Sequence, residues 1–134
     1  MKHPNPKTLE TKQWLEKAKR DIEQAKHDLT AETPYTDSAV FHCQQAAEKA
    51  LKGFLTWKEI TFKKTHSIAE IGAQVIAIDQ SLHLTINPAI NLTPYATVFR
   101  YPGDIADPSE QEAAEAVEIA ENLLKAILTK LPKL

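Results

Sequence analysis

A chain of 134 residues with net charge −2, 43% apolar and 25% charged residues has the size and make-up of one soluble globular domain. Its charge balance excludes indiscriminate nucleic-acid binding through a dense cationic surface, but leaves room for a small local basic site. One cysteine, Cys43, excludes an internal disulfide and a cysteine-based zinc framework, and no apolar run approaches the roughly 20 residues needed to cross a bilayer.

In chain order, residues 1–10 hold two prolines and few apolar groups, with no secretory apolar core. They read as a flexible lead-in to one domain over 11–134, and the chain is expected in the cytoplasm. Leu15, Ala18, Ile22, Ala25 and Leu29 step by three and four, predicting a first helix from about Thr11 to Thr30. Pro34 closes the linker that follows. A second helix is predicted from about Asp37 to Lys58, with Val40, Cys43, Ala47, Ala50 and Phe54 as its stripe and Gly53 marking a close approach of two helices. Ser67-Ile68-Ala69-Glu70 spells a capping box and opens a third helix carrying Ile68, Ile71, Val75 and Ile78.

A loop is expected from about Gln80 to Asn87. A fourth helix then starts at Asn87-Pro88 or at Thr93-Pro94, with a kink at Pro94 in the first case. Pro102 and Gly103 stop it by Tyr101. The fifth helix opens at Asp107 or at Ser109, since both are followed three residues later by Glu. Ala113, Ala116, Ala120, Leu124, Ile127 and Leu131 form its stripe, with acidic residues in its first turns and lysines at its end. Leu123 and Leu128 broaden that apolar end, which calls for cover by a dimer partner or by the chain's own tail. No segment alternates with period two, so the expected fold is all-α: an antiparallel up-and-down bundle of four to five helices.

Two strings stand out. Phe41-His42-Cys43-Gln44-Gln45-Ala46-Ala47-Glu48-Lys49-Ala50-Leu51-Lys52-Gly53 combines an apolar stripe with a dense polar face. Phe99-Arg100-Tyr101-Pro102-Gly103-Asp104 ends the fourth helix. With Trp14-Leu15 leading the first helix and Thr65-His66 opening the third, this ordered set resembles the HEPN family, the higher eukaryote and prokaryote nucleotide-binding domain, from about Trp14 to Leu131.

The resemblance implies a helical bundle that is usually dimeric. It also implies, as many members are, a toxin–antitoxin pairing with a minimal nucleotidyltransferase, or nucleotide binding as proposed for the domain at the end of sacsin. A catalytic branch cleaves RNA without metal, using an Arg and a His separated by four to six residues. Here Ile105, Ala106 and Asp107 stand where that histidine falls after Arg100. Metal-free cleavage needs a group that moves a proton near neutral pH, and histidine suits this best, so the reading leans away from an enzyme. If the chain is a ribonuclease, its candidates are Arg100, Asp104 and His66. Arg20 and His27 repeat the spacing on the first helix, but on a face opposite its stripe.

The expected nucleotide or RNA site comprises Arg100, Tyr101, His42, Gln45, Glu48, Lys49, Lys52 and His66. A guanidinium holds phosphate bidentately and a tyrosine ring stacks on a base. Equally, Arg100 suits a helix C-terminus without any ligand. His42, Gln45, Lys49 and Lys52 share one side of the second helix, flanked by Gln44 and Glu48. That side can line a pocket, form an interface or stay wet. His66 can cap or bond across the bundle, and Asp104 can pair with Arg100. The five histidines are scattered and no Glu-x-x-His or Gly-rich phosphate loop occurs, so no metal or cofactor is expected. A pure interaction bundle is the remaining alternative.

Overall fold

The first helix begins ahead of its apolar stripe. Pro6 occupies its first position, where a missing N–H costs nothing, and the Asn5 side chain accepts the Lys7 N–H at 2.9 Å. Helix α1 therefore runs Pro6–Asp28, which corrects the expected flexible lead-in from Pro6 onward. The Lys7 ammonium lies 4.1 Å from the centre of the Trp57 ring, tying this opening turn to the end of the second helix. The computed structural model describes residues 5–99, 102–103 and 106–134.

Helix α2 spans Thr36–Trp57 and α3 spans Ile68–Ile76. A 3₁₀ turn over Gln80–Leu82 leads into α4, His83–Ala89, then a second 3₁₀ segment, Ile90–Ala96, and finally α5, Glu110–Thr129. There is no strand among the described residues. The expected loop over 80–87 is overturned. Asp79 accepts the Ser81 N–H and caps the turn, and Leu82 of the turn is buried together with Ile86 and Ala89 of α4. The fourth helix thus starts at neither proposed proline. Pro88 lies inside α4, and the chain tightens into 3₁₀ geometry across Pro94 rather than kinking a continuous helix. At α5 the Ser109 alternative holds: Ser109 Oγ accepts the Glu112 N–H at 3.0 Å and Glu112 accepts the Ser109 N–H at 3.4 Å.

Pairings between helices fix their directions. Asp28 meets Ser38, Asp21 meets His42 and Lys49, and Lys7 meets Trp57, so α1 and α2 run antiparallel. Lys26 pairs with Glu121, while Leu15 shares a groove with Leu128 and Leu131, so α1 also runs against α5. Helices α2 and α5 therefore point the same way, and the short α3–α4 region returns the chain between them.

Helix α2 sits at the centre. Val40, Cys43, Ala47, Ala50, Leu51, Phe54 and Leu55 are fully buried, packed against Ala18, Ile22 and Ala25 of α1 and Ala113, Ala120, Leu123 and Ile127 of α5. The many alanines let the backbones approach closely. A Cβ on Gly53 would stand 3.0 Å from a Leu15 methyl, in keeping with its expected role. At the far end of α5, Leu128 stays 47% exposed between two shallow grooves along α1 of about 290 and 280 Å³.

Candidate functional site

Gln44, Glu48 and Lys52 lie four residues apart and stack along one line of α2. That line faces the start of α3. The Glu48 side chain is almost wholly buried, and its carboxylate takes three donors: Gln44 Nε2 at 2.9 Å, Lys52 Nζ at 2.8 Å and His66 Nδ1 at 3.1 Å. A carboxylate that receives such bonds only accepts, so Nδ1 carries the proton in this pair. Burial pushes the Glu48 carboxyl up, but the bonds from Lys52, Gln44 and His66 and the Lys52 charge outweigh it and hold it below the usual carboxylate range. Glu48 is thus an ionised group inside the bundle.

His66 is placed from both sides. Thr65 Oγ1 accepts the Ser67 N–H at 3.0 Å, and Ser67 Oγ accepts the Glu70 N–H at 3.2 Å, which fixes the start of α3. Gln44 Nε2 also reaches the His66 carbonyl at 3.3 Å. The imidazole is nevertheless 70% exposed. With Nδ1 on Glu48, its Nε2 edge points away from the carboxylate. Lys52 Nζ lies 5.5 Å and 5.2 Å from the ring centres of Trp14 and Phe62, which themselves meet edge to face. Its position is set by rings as well as by charge.

The structure divides the expected site residues into two groups. Glu48, Lys52 and His66 come together, and Gln45 joins them by donating to Gln44 Oε1 at 2.6 Å. His42 and Lys49 do not. Both turn to Asp21 of α1, at 3.0 and 2.6 Å, and form a clamp between helices, apart from the Glu48 cluster. Arg100, Tyr101 and Asp104 lie outside the described residues. Arg20 and His27 are exposed on α1, away from the cluster.

Gln44, set beside the site in the sequence, is fully buried at its heart. The signal was present: a Gln, Glu and Lys at successive four-residue steps beside an alanine-rich stripe marks a line too polar to be core and too ordered to be an ordinary wet face.

Cys43 takes no part. Burial, with the Glu121, Asp21 and Asp28 charges, pushes its thiol up to about 12, so it is not a nucleophile near neutrality. Among the described residues no group of histidine, cysteine and carboxylate side chains is arranged to hold a metal ion, and no helix is long and apolar enough to cross a membrane.

Comparison with known proteins agrees with the all-helical fold. The HEPN domain family matches residues 11–131. The chain is 30% identical over 131 residues to a Methanocaldococcus jannaschii protein named "Putative toxin MJ1304", covering 87% of this chain and 84% of that one. Two crystal structures share its fold. One is ST0689, an archaeal HEPN homologue, with TM-score 0.70 and 27% identity over 90% of this chain and 96% of that one. The other is TT1696 from Thermus thermophilus, with TM-score 0.74 and 28% identity over 90% and 98%. With a family match over nearly its whole length and the same fold in a structure titled as a HEPN homologue, this chain belongs to the HEPN domain family.

Proposed function

We propose that this chain is the toxin-type member of a two-component pair, acting in the cytoplasm, and that its Glu48-centred cluster binds a phosphate of a nucleotide or RNA strand. The supporting observation is that a buried carboxylate fixes Lys52 and an exposed imidazole from two different helical segments. That two donors from separate segments are held by one buried carboxylate supports a binding role over an ordinary wet helix face. Arg100, in the string the resemblance marks, is proposed as a further phosphate-holding cation and Tyr101, by its ring chemistry, as a base-stacking partner. A relative named as a toxin supports the biological setting. The partner of this reading is a minimal nucleotidyltransferase. The second copy of a homodimer covers exposed Leu128 and its flanking grooves.

A second reading rests on the Glu48–His66 geometry. The pair leaves Nε2 free to take a proton from a ribose 2′-hydroxyl, which then attacks the adjacent phosphorus. The same proton passes to the departing 5′-oxygen, and a 2′,3′-cyclic phosphate remains. In this reading His66 stands in for the histidine missing after Arg100, and Glu48 orients it.

Fluorescence anisotropy with a labelled single-stranded RNA and a fluorescent ATP analogue tests the first reading. Arg100→Ala is expected to weaken binding by about tenfold to a hundredfold, the worth of a charge-assisted contact. Lys17→Ala, on the exposed face of α1, leaves it within about twofold. Equal losses, or none, would remove Arg100 from the site, and no wild-type binding of either probe would remove the site itself. Incubation of wild type and His66→Gln with RNA under EDTA decides the second reading: cleavage by the wild type alone supports it, and intact RNA in both ends it.

A further inference from the structure

We propose that the segment joining α2 to α3 is a track for single-stranded RNA, so that the ligand of this site is a strand and not a lone nucleotide. This rests on the reading of the Glu48 cluster as a phosphate site.

Between Trp57 and Ser67 the chain carries Lys58, Lys63, Lys64 and His66 against one acidic residue, Glu59. In a chain of net charge −2, this is a local reversal of sign. Glu59 is already engaged, 3.8 Å from the Lys7 ammonium. Lys63 and Lys64 are exposed, and among the described residues neither has a carboxylate within ion-pairing distance. Both therefore remain available to an external anion. A run of charge on a surface is usually only solvated, and three further observations set this one apart.

First, the segment is held in shape. Gln74 of α3 accepts the Lys63 N–H through Oε1 at 3.0 Å and donates through Nε2 to the Thr61 carbonyl, also at 3.0 Å. Phe62 is fixed edge-on against Trp14. The lysines thus project from an ordered backbone, which lowers the entropy lost on binding.

Second, the track leads into the site. Lys63 to His66 is three residue steps, at most about 10 Å, and His66 is bonded to Glu48. A strand with one phosphate at the cluster would therefore bring its next phosphates past Lys64 and Lys63.

Third, an open groove of about 500 Å³ lies beside Lys64, with Ile60 and Phe62 on its apolar wall and Lys7 and Glu59 also lining it. That volume falls in the range of small-ligand pockets and accepts a nucleobase. Glu10 also lines it and provides an acceptor for base amino groups. A purely acidic peptide would use the lysines but has no side chain for the apolar wall, which a nucleobase fills.

The test compares three labelled probes by anisotropy at 50 and 200 mM salt: a 12-nucleotide single-stranded RNA, an ATP analogue and polyglutamate. It uses the full chain and the variant Lys63→Glu/Lys64→Glu. Both positions are exposed, and thermal melting verifies that the fold is intact. The inference predicts at least tenfold weaker RNA binding by the variant. The slope of log affinity against log salt becomes shallower by about 1.4, two single-strand phosphate contacts, and nucleotide affinity stays within twofold. Wild-type binding of the nucleotide but not of the RNA, or RNA binding that the variant leaves unchanged, would overturn the track while the phosphate site stands. Loss of polyglutamate binding alone would assign the patch to an acidic protein and overturn it too. If the wild type binds neither nucleotide nor RNA, the phosphate site itself falls.

Discussion

Glu48→Ala is expected to destabilise the domain by about 2–3 kcal/mol, measured by chemical denaturation near pH 7. Removing one partner of a buried ion pair commonly costs about 3–5 kcal/mol, because the other charge is left in an apolar setting. The lower figure applies here since Lys52 keeps some exposure and His66 is largely in water, so both can turn outward. Gln44 cannot, because it is fully buried and loses an acceptor. Glu48→Gln, which keeps the shape and one acceptor oxygen, should cost less.

The pH dependence has a definite sign. Glu48 has a lowered pKa in the folded chain, so its contribution is fully present above the ordinary carboxylate value of about 4.3. It is lost as pH falls from there through the lowered value. The gap in stability between wild type and Glu48→Gln should therefore be constant from pH 7 to about pH 5 and shrink below it. A gap that widens with acid would contradict an ionised, hydrogen-bonded Glu48.

Gly72→Val is expected to cost about 2–3 kcal/mol. A Cβ at residue 72 would lie 2.6 Å from Ile86 Cγ2, closer than carbon atoms pack. Ile86 is fully buried, and its β-branch leaves one comfortable rotamer, so the methyl cannot step aside without moving α4. Overpacking of this kind costs about 1–3 kcal/mol, and the added branches of valine raise it. The modest gain in helix propensity on replacing glycine, under about 1 kcal/mol, does not offset it. The same substitution in an Ile86→Ala background should cost much less, because the conflicting methyl is gone. Equal costs in both backgrounds would place the strain elsewhere. The effect reaches the site, since α3 begins next to His66 and its Ile68 N–H is held by Thr93 Oγ1 at 3.2 Å.

The long helices were legible because α1, α2 and α5 each carry a continuous stripe that the core then buries. Of the short ones, α3 was legible from its Ser67 cap and its Ile68, Ile71 and Val75 stripe, and α4 was not. In α4 only Ile86 and Ala89 face inward, too few for periodicity to show, and Pro88 suggested a start where the helix in fact was ending. The opening turn of α1 was hidden because Pro6 and Asn5 act as start signals without any apolar residue beside them.

The site was half legible. Glu48, Lys52 and His66 stand out by their types and spacing. Which polar residues turn toward α3 and which toward α1 depends on Asp21, 21 positions before His42 and 28 before Lys49, and no local pattern on α2 reveals a partner at that distance. The line of Gln44, Glu48 and Lys52 is visible on α2, but the segment that covers Gln44, the one carrying His66, is not.

The central claim is that the Glu48 cluster is where phosphate binds. The most direct measurement is an NMR titration of the isotope-labelled protein with short single-stranded RNA and with ATP. It follows the His66 imidazole and the Gln44 side-chain amide, with the Asp21–Lys49 clamp as an internal reference. The account predicts saturable shifts at His66 and Gln44 while the clamp signals stay in place. Shifts confined to the grooves between α1 and α5, or none at saturating ligand, would contradict it.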